Sequence, residues 1–297
     1  MSVWNGCTAT IDADVSAAQV LGMRPVPDVH VPTLRTLWRG GAAEPGIREI
    51  PEETPIALTY GRATHAVMMA TPADLRDFAL GFSLSEGIVR GPEDIEALDI
   101  VVVQDGIELR MDLVAARQTG LMRRQRRITG PGGCGLCGMD SLAEALRPAP
   151  PVPAGRRFSP AEIAAAQAAL ATAQPLNGVT RAVHAAAFWT PEDGLILSRE
   201  DVGRHNALDK LLGAMVWRGR SAARGVILLS SRVSVEMVQK AATLGAPTIV
   251  AVSAPTALAV RTAAGAGMTL IGVARDDSFE VFTHTHRIGT EQVRHGA

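Results

Sequence analysis

The stretch GVILLSSRVSVEMVQKAATLGAPTIVAV, residues 225–252, decides the fold of the second half of the chain. Residues 225–229 are a short apolar run typical of a buried strand, and residues 248–252 are a second such run. Between them, residues 234–244 have helical spacing, and Gly245 follows as a helix stop. Strand, helix and strand in this order predict parallel strands joined by a crossover helix.

The neighbouring segments extend this alternation on both sides. They predict helices at residues 206–217 and 257–264 and strands at residues 181–189, 195–198 and 268–273. The last strand leads into a polar loop at residues 275–278. We therefore expect a three-layer α/β domain over residues 158–290.

The first half shows hairpin signals instead. Strand-like runs at residues 56–60 and 65–69 flank a glycine turn, and runs at 100–103 and 107–111 flank Asp105-Gly106, a strong two-residue hairpin signal. Thr71-Pro72 predicts the start of a helix between the two hairpins. These patterns predict a smaller α+β domain over residues 46–147, which ends in a cysteine-containing loop.

Two further segments complete the predicted organisation. Residues 1–45 mix Pro, Gly and Ala without periodicity, so we expect an irregular N-terminal arm there. Residues 147–157 hold prolines 148, 150, 151 and 153, which favours an extended linker between the two domains.

Composition excludes several classes of function. The 297-residue chain is 47% hydrophobic and has a formal net charge of −1, so no global field attracts nucleic acid or an anionic membrane surface. No charged leader and no apolar run of membrane-spanning length are present, and we expect a cytoplasmic protein. Three cysteines are too few for the disulfide framework of a small secreted domain.

Chemistry is concentrated in the loop Gly132-Gly-Cys134-Gly-Leu-Cys137-Gly138. Glycines on both sides allow the backbone to expose a thiol and to adapt to a bulky partner. The arginines at positions 123, 124, 126 and 127 would favour the reactive thiolate, although a charge run alone is more often a solvated surface. From the residues alone, Cys-x-x-Cys leaves a zinc site, a redox pair and a sulfur carrier open.

The metal alternatives lack further ligands in the sequence. No cysteine or histidine pair accompanies Cys134 and Cys137 at zinc-site spacing, and no histidine is followed two residues later by the glutamate that zinc deaminases need. We therefore expect no tightly bound metal.

The segment 201–206 joins a strand to a helix, where His205 could carry protons, or could instead satisfy a buried carbonyl beside a capped turn. Arg232 follows a buried strand and could hold phosphate.

Four segments together resemble the formate dehydrogenase accessory sulfurtransferases, the FdhD family. They are Cys134-Gly-Leu-Cys137-Gly138, Glu200-Asp-Val-Gly-Arg-His-Asn-Ala-Leu-Asp-Lys210, Ser231-Arg-Val-Ser-Val-Glu-Met-Val-Gln-Lys240 and Ser253-Ala-Pro-Thr256. Thr71-Pro-Ala-Asp-Leu75 and Gly81-Phe-Ser-Leu-Ser-Glu-Gly87 are similar to the N-terminal part of the family. The resemblance extends in order over roughly residues 48–290.

The resemblance implies a sulfurtransferase and molybdenum-cofactor chaperone. Cys134 would carry persulfide sulfur from a cysteine desulfurase to the bis-molybdopterin guanine dinucleotide cofactor of formate dehydrogenase, and Cys137 would be a supporting or resolving thiol. The cofactor loop would be Val273, Ala274, Arg275, Asp276, Asp277 and Ser278. The C-terminal domain would have a cytidine-deaminase-like fold, and a homodimer is left open. The alternatives are a non-catalytic cofactor-binding chaperone and a thiol-disulfide oxidoreductase.

Overall fold

The computed structural model describes residues 24–128, 147–275 and 277–289. Within these residues the chain forms a two-stranded, a four-stranded and a six-stranded sheet, with helices on the two larger ones. The architecture is therefore mixed α/β, as the alternating patterns predict.

The strands are numbered in chain order. They are β1 (His30–Arg39), β2 (Ala42–Pro51), β3 (Thr54–Tyr60), β4 (Ala63–Ala70), β5 (Ile95–Val103), β6 (Gly106–Leu113), β7 (His184–Thr190), β8 (Gly194–Asp201), β9 (Val226–Leu229), β10 (Thr248–Ala251), β11 (Thr269–Arg275) and β12 (Ser278–Val281). The helices are α1 (Leu75–Ser85), α2 (Ala115–Ile128), α3 (Pro160–Thr172), α4 (Pro175–Thr180), α5 (Arg204–Trp217), α6 (Val235–Thr243) and α7 (Ala257–Gly265).

The four-stranded sheet has the order β4-β3-β6-β5 and belongs to the first half of the chain. Both predicted hairpins are confirmed, because β3 pairs with β4 and β5 pairs with β6, each antiparallel. One face of this sheet packs against α1 and forms a core that includes Ile56, Leu58, Phe78 and Leu109, all completely buried. This half thus has a hydrophobic core of its own.

The six-stranded sheet has the order β12-β11-β10-β9-β7-β8. Its centre confirms the interpretation of residues 225–252, because β9, β10 and β11 are parallel and α6 and α7 connect them. Helices α5, α6 and α7 cover one face of the sheet, and α3 covers the other. The result is the predicted three-layer arrangement, in which β7 runs antiparallel to β9. Residues 147–157 contain neither helix nor strand, as their prolines predict.

The irregular arm expected for residues 1–45 is wrong from His30 onwards. Residues 30–51 form a regular antiparallel hairpin, β1 and β2, whose ten cross-strand pairs run from His30–Pro51 to Arg39–Ala42. The hairpin has few buried side chains, and Leu34 and Trp38 are 84% and 70% exposed. Because neither face is buried, the strands show no alternation of apolar and polar residues, and the pattern that identifies strands is missing.

The predicted helix start at Thr71 is also wrong. Helix α1 begins at Leu75 after Asp74, which has a left-handed backbone with φ of 53°. Thr71 is completely buried, and its backbone N–H donates to Asp201 at 3.0 Å while its hydroxyl accepts from the backbone N–H of Val202 at 3.1 Å. Thr71 therefore connects the two halves of the chain instead of capping a helix.

Helices α1 and α5 join the two halves at very close range. A Cβ atom added at Gly81 would lie 1.7 Å from the backbone oxygen of Asp209, and one added at Gly213 would lie 1.8 Å from that of Asp77. Only glycine allows the two backbones to approach this closely. The contact also fixes where the N-terminal end of α5 lies relative to the first half.

Candidate functional site

Polar side chains collect at one edge of the six-stranded sheet. Because β9, β10 and β11 are parallel, their carboxyl ends lie together at this edge, which also holds the start of the antiparallel strand β7 and the end of β8. Helices α5, α6 and α7 begin there. We call this region the polar edge. In open α/β sheets, ligands usually bind beyond the carboxyl ends of the strands.

At one end of the polar edge, β11 turns into β12. Val273, Ala274 and Arg275 end β11 and Ser278 begins β12, so the predicted polar loop is a tight hairpin turn in which Asp277 is exposed. Arg275 pairs with Ser278 across the turn, and the ladder between Gly272 and Arg275 is irregular. Ala274 is buried, whereas the Arg275 side chain is exposed to solvent.

Val273 has an unusual backbone conformation in the irregular part of β11 that leads into this turn. Its φ angle is 52°, in the left-handed region that a β-branched side chain rarely adopts. Its N–H donates to the backbone oxygen of Ser253, which follows β10, at 3.3 Å. Such strain persists only where surrounding structure or function requires it, so the conformation of Val273 marks the turn as a functional candidate.

At the other end of the polar edge, a buried ion pair holds the start of α5. Lys210 Nζ lies 2.6 Å from an Asp201 carboxylate oxygen, and both side chains are completely buried. Asp201 also accepts hydrogen bonds from the backbone of Gly203 and from the Asn206 side chain, and Lys210 donates to the backbone oxygen of Thr71. All polar atoms of the pair are thus used internally, which favours a structural role.

Arg204 and two histidines surround this buried pair on its solvent side. His184 begins β7 opposite Asp201, while Arg204 and His205 are the first two residues of α5. Nε of Arg204 is buried and has no hydrogen-bond partner among the described residues. His205 Nε2 lies 3.6 Å from Glu236, whose carboxylate also accepts a hydrogen bond from Ser234 at 2.9 Å.

Both histidines resist protonation. Burial lowers the pKa of His184, and the positive charge of Arg204 lowers it further, against the opposing effect of Asp201. Burial and then Arg204 also lower the pKa of His205, while Glu236 acts in the opposite direction. At neutral pH the cluster therefore consists of one guanidinium and two neutral imidazoles, and each imidazole offers one N–H donor.

Comparison with known proteins identifies the family of this chain. The sequence model described as the FdhD/NarQ family matches residues 51–289, which is most of the chain. The chain belongs to the FdhD/NarQ family. The match includes the complete polar edge and both larger sheets, whereas most of the β1–β2 hairpin precedes it.

Relatives of this FdhD/NarQ member cover nearly its whole length. It is 51% identical over 255 residues to a protein named sulfur carrier protein FdhD from Agrobacterium fabrum. The aligned region covers 86% of this chain and 94% of that protein. It is 53% identical over 242 residues to a protein of the same name from Brucella abortus, with 81% and 90% covered. A crystal structure of a putative formate dehydrogenase accessory protein from Desulfotalea psychrophila matches with a TM-score of 0.70, 25% identity and 88% and 100% coverage.

Some predicted site residues of this FdhD/NarQ member lie outside the described residues. They are Cys134, Cys137 and Asp276. Within the described ranges, no group of three or more metal-ligating side chains is found, and no helix is long and apolar enough to cross a membrane. The described part of the predicted site is thus Val273–Arg275 with Asp277 and Ser278.

Two features of the polar edge were not predicted from the sequence: the Asp201–Lys210 ion pair and the contact between His205 and Glu236. In the sequence, Lys210 lies within the segment 200–210 without a role of its own, and Asp201 lies within the segment 201–206 that joins a strand to a helix. Asp201 does close the turn to Gly203, but its second carboxylate oxygen neutralises Lys210. A lysine at an otherwise apolar helix position, nine residues after an aspartate, was the available signal. Among the described residues, His205 lies 3.6 Å from the Glu236 carboxylate and has no hydrogen bond to a buried carbonyl.

Proposed function

We propose that the chain is a sulfur carrier in formate dehydrogenase maturation, with Cys134 as the carrying thiol. The observation that carries this proposal is the identity of 51–53% to proteins named sulfur carrier protein FdhD, over more than four fifths of this chain. Cys134 and Cys137 are the cysteines of a glycine-rich segment of the sequence, whereas Cys7 lies alone near the N-terminus. A glycine-rich segment suits a thiol that meets a donor and an acceptor in turn.

The transfer reaction balances with these two thiols. The Cys134 thiolate attacks the outer sulfur of a persulfide on a cysteine desulfurase, so that a bond forms to Cys134 Sγ and the donor cysteine leaves as thiolate. If Cys137 then attacks Cys134 Sγ, the outer sulfur leaves as hydrosulfide and a Cys134–Cys137 disulfide forms. The two electrons that reduce the sulfur come from the two cysteines. The hydrosulfide is the species delivered to the molybdenum cofactor.

We propose that the guanine end of the molybdenum cofactor, a substrate of this protein, binds at the β11–β12 turn. Exposed Arg275 offers a planar guanidinium suited to phosphate, and Asp277 offers a carboxylate suited to the N–H groups of guanine. The left-handed backbone of Val273 supports a functional role for the turn. The cytidine-deaminase-like description of this half stays a prediction, as do the cytoplasmic location and the homodimer.

The chain path allows the thiols to approach the polar edge. Arg147, the first described residue after the cysteines, contacts α6: its backbone oxygen accepts from the Gln239 side chain at 2.7 Å. Gln239 lies one turn after Glu236 of the polar edge. Cys137 is ten residues before Arg147, and ten residues span at most about 36 Å. On the Arg147 side, the covalent connection therefore permits both thiols to reach the edge.

Mass spectrometry after incubation with a cysteine desulfurase and cysteine tests the proposal. We expect one added sulfur on Cys134, none in the Cys134→Ala variant, and an unchanged signal in Cys7→Ala, the matched control outside the motif. Cys134→Ala should also fail to activate formate dehydrogenase. A Cys134→Ala variant that activates formate dehydrogenase fully would identify a cofactor chaperone that needs no persulfide. A stable Cys134–Cys137 disulfide without any persulfide would instead identify a thiol-disulfide oxidoreductase.

A further inference from the structure

Arg204 is a cation that the described part of the protein does not neutralise. The nearby acids are directed elsewhere: Asp201 pairs with Lys210 at 2.6 Å, while the Glu236 carboxylate, whose charge neutral His205 does not balance, accepts from Ser234 at 2.9 Å and lies 3.6 Å from His205. Nε of Arg204 is buried without a hydrogen-bond partner among the described residues. A buried donor without a partner lowers stability unless something binds it, so this guanidinium requires an explanation.

The surroundings of Arg204 select for a negative ligand. His205 follows Arg204 at the start of α5, and His184 pairs across the β7–β8 ladder with Asp201, three residues before Arg204. Each imidazole has an N–H donor whether neutral or protonated. Helix α5 is 14 residues long, and its N-cap Gly203 provides no side-chain cap for the first backbone N–H groups. The helix dipole adds further positive potential at this end. Arg204, His184 and the helix terminus thus provide donors in one place, with His205 beside them.

We propose that Arg204, His184 and His205 form a subsite for a phosphate or pyrophosphate group. A planar guanidinium with adjacent N–H donors matches the several acceptor oxygens of such a group. Glu236 occupies one side of His205, so the open donors of the subsite are the guanidinium and His184. The subsite is separate from the β11–β12 turn.

The separation of the two places suggests the size of the ligand. In the sheet order β11-β10-β9-β7-β8, four strand spacings separate β11 from β8, which corresponds to about 19 Å. A ligand with phosphate groups on two arms can contact both ends of the polar edge. This part of the inference rests on the proposed function, because it takes the bis-guanine dinucleotide cofactor as that ligand. The subsite itself rests only on the described residues.

Isothermal titration calorimetry with inorganic pyrophosphate tests the subsite. We expect the full chain to bind pyrophosphate, and Arg204→Gln to weaken this binding roughly ten-fold or more, the effect of one lost charge-assisted contact. Arg220→Gln is the matched control. This substitution removes the same charge, and Arg220 is exposed beyond the opposite end of α5. Pyrophosphate should also shift the imidazole proton resonances that His184→Gln and His205→Gln remove.

Several results would overturn the subsite. They are no pyrophosphate binding by the unmodified chain, equal binding by a folded Arg204→Gln variant, and binding that only Arg275→Gln abolishes. The failure of the sulfur-carrier proposal is recognised separately, because persulfide formation on Cys134 is measured without pyrophosphate. GDP distinguishes the cofactor placement: its affinity should fall in Arg275→Gln if guanine binds at the β11–β12 turn. If Arg204→Gln weakens pyrophosphate binding while Arg275→Gln leaves the affinity for GDP unchanged, the subsite is supported and guanine binding at the β11–β12 turn is rejected.

Discussion

Lys210 and Arg204 lie on the same helix, six residues apart, and have opposite environments. Lys210 is completely buried, pairs with Asp201 and donates to Thr71 of the other half of the chain. Arg204 is partly exposed, and no carboxylate pairs with it within the described residues. Together they show that α5 has an internal cation that joins the two halves and an outer cation that remains available to a ligand.

The difference follows from where each side chain leaves the helix. The Lys210 side of α5 faces the first half of the chain, where α1 crosses at Gly81 and Gly213. Lys210 is completely buried there, so its charge needs an internal partner. Arg204 is at the first turn, beyond the ends of the strands, where solvent or a ligand can satisfy it. Substitutions should therefore affect stability at the first position and binding at the second.

Replacing Lys210 should have the largest effect on stability. Lys210→Met leaves the completely buried Asp201 carboxylate without its counter-ion, which should reduce the free energy of unfolding by about 3–5 kcal/mol. Denaturant-induced unfolding followed by circular dichroism measures this loss. Adding Asp201→Asn should recover part of it, because the uncompensated charge is removed. If Lys210→Met unfolds at the same denaturant concentration as the unmodified chain, the pair does not stabilise the junction.

Widening the contact between α1 and α5 should have the next largest effect. The Cβ atom in Gly81→Ala would lie 1.7 Å from the backbone oxygen of Asp209, so the helices must separate, at a cost of about 1–3 kcal/mol or more. Gly120→Ala is the matched control. Gly120 lies in α2 with nothing within 4 Å of an added Cβ, and alanine there should stabilise the helix by about 0.5–1 kcal/mol. Equal thermal midpoints for the two variants would contradict the close crossing.

The smallest effect concerns the pH dependence of the outer cluster. Because the pKa values of His184 and His205 are lowered on folding, the unfolded chain binds protons more readily than the folded one. Stability from these groups is therefore present above the ordinary histidine pKa of about 6.5 and is lost as the pH falls below it. Unfolding measured between pH 8 and pH 5.5 should show a smaller decrease in the His184→Gln/His205→Gln variant than in the unmodified chain.

The charges that face each histidine also determine how the affinity for an anion changes with pH. His184 faces Arg204 and Asp201, and His205 faces Arg204, Glu236, Lys240 and Asp209. A bound pyrophosphate adds negative charge beside Arg204 and favours protonation of both imidazoles. As the pH falls from 8 towards 6, the affinity of the unmodified chain should consequently rise relative to that of His184→Gln/His205→Gln, which binds the same titrating anion, and calorimetry at the two pH values measures the ratio. A ratio that is independent of pH would place the anion away from the histidines.

Local signals in the sequence identified most of the central structure. Asp105-Gly106 predicted the β5–β6 hairpin, and residues 225–252 predicted the β9–α6–β10 unit, because turn chemistry and the period of apolar residues act within a few neighbouring positions. Helix α3 was missed, although Ser159 and Glu162 form a capping box that was visible in the sequence. The arginines at 123, 124, 126 and 127 lie in α2, and whether they favour the thiolate or form a solvated surface stays open.

The sequence by itself determined the candidate thiols, the alternating strands and helices and the resemblance to the family, since these depend on residue types at short spacings. Only the tertiary structure decided which charges are used internally. Asp201 contacts Lys210 nine positions later and Thr71 in the other half of the chain, and these contacts exist because Gly81 and Gly213 bring two helices together. Arg204 has no carboxylate partner among the described residues, because the Asp201 carboxylate is occupied by Lys210, Gly203 and Asn206.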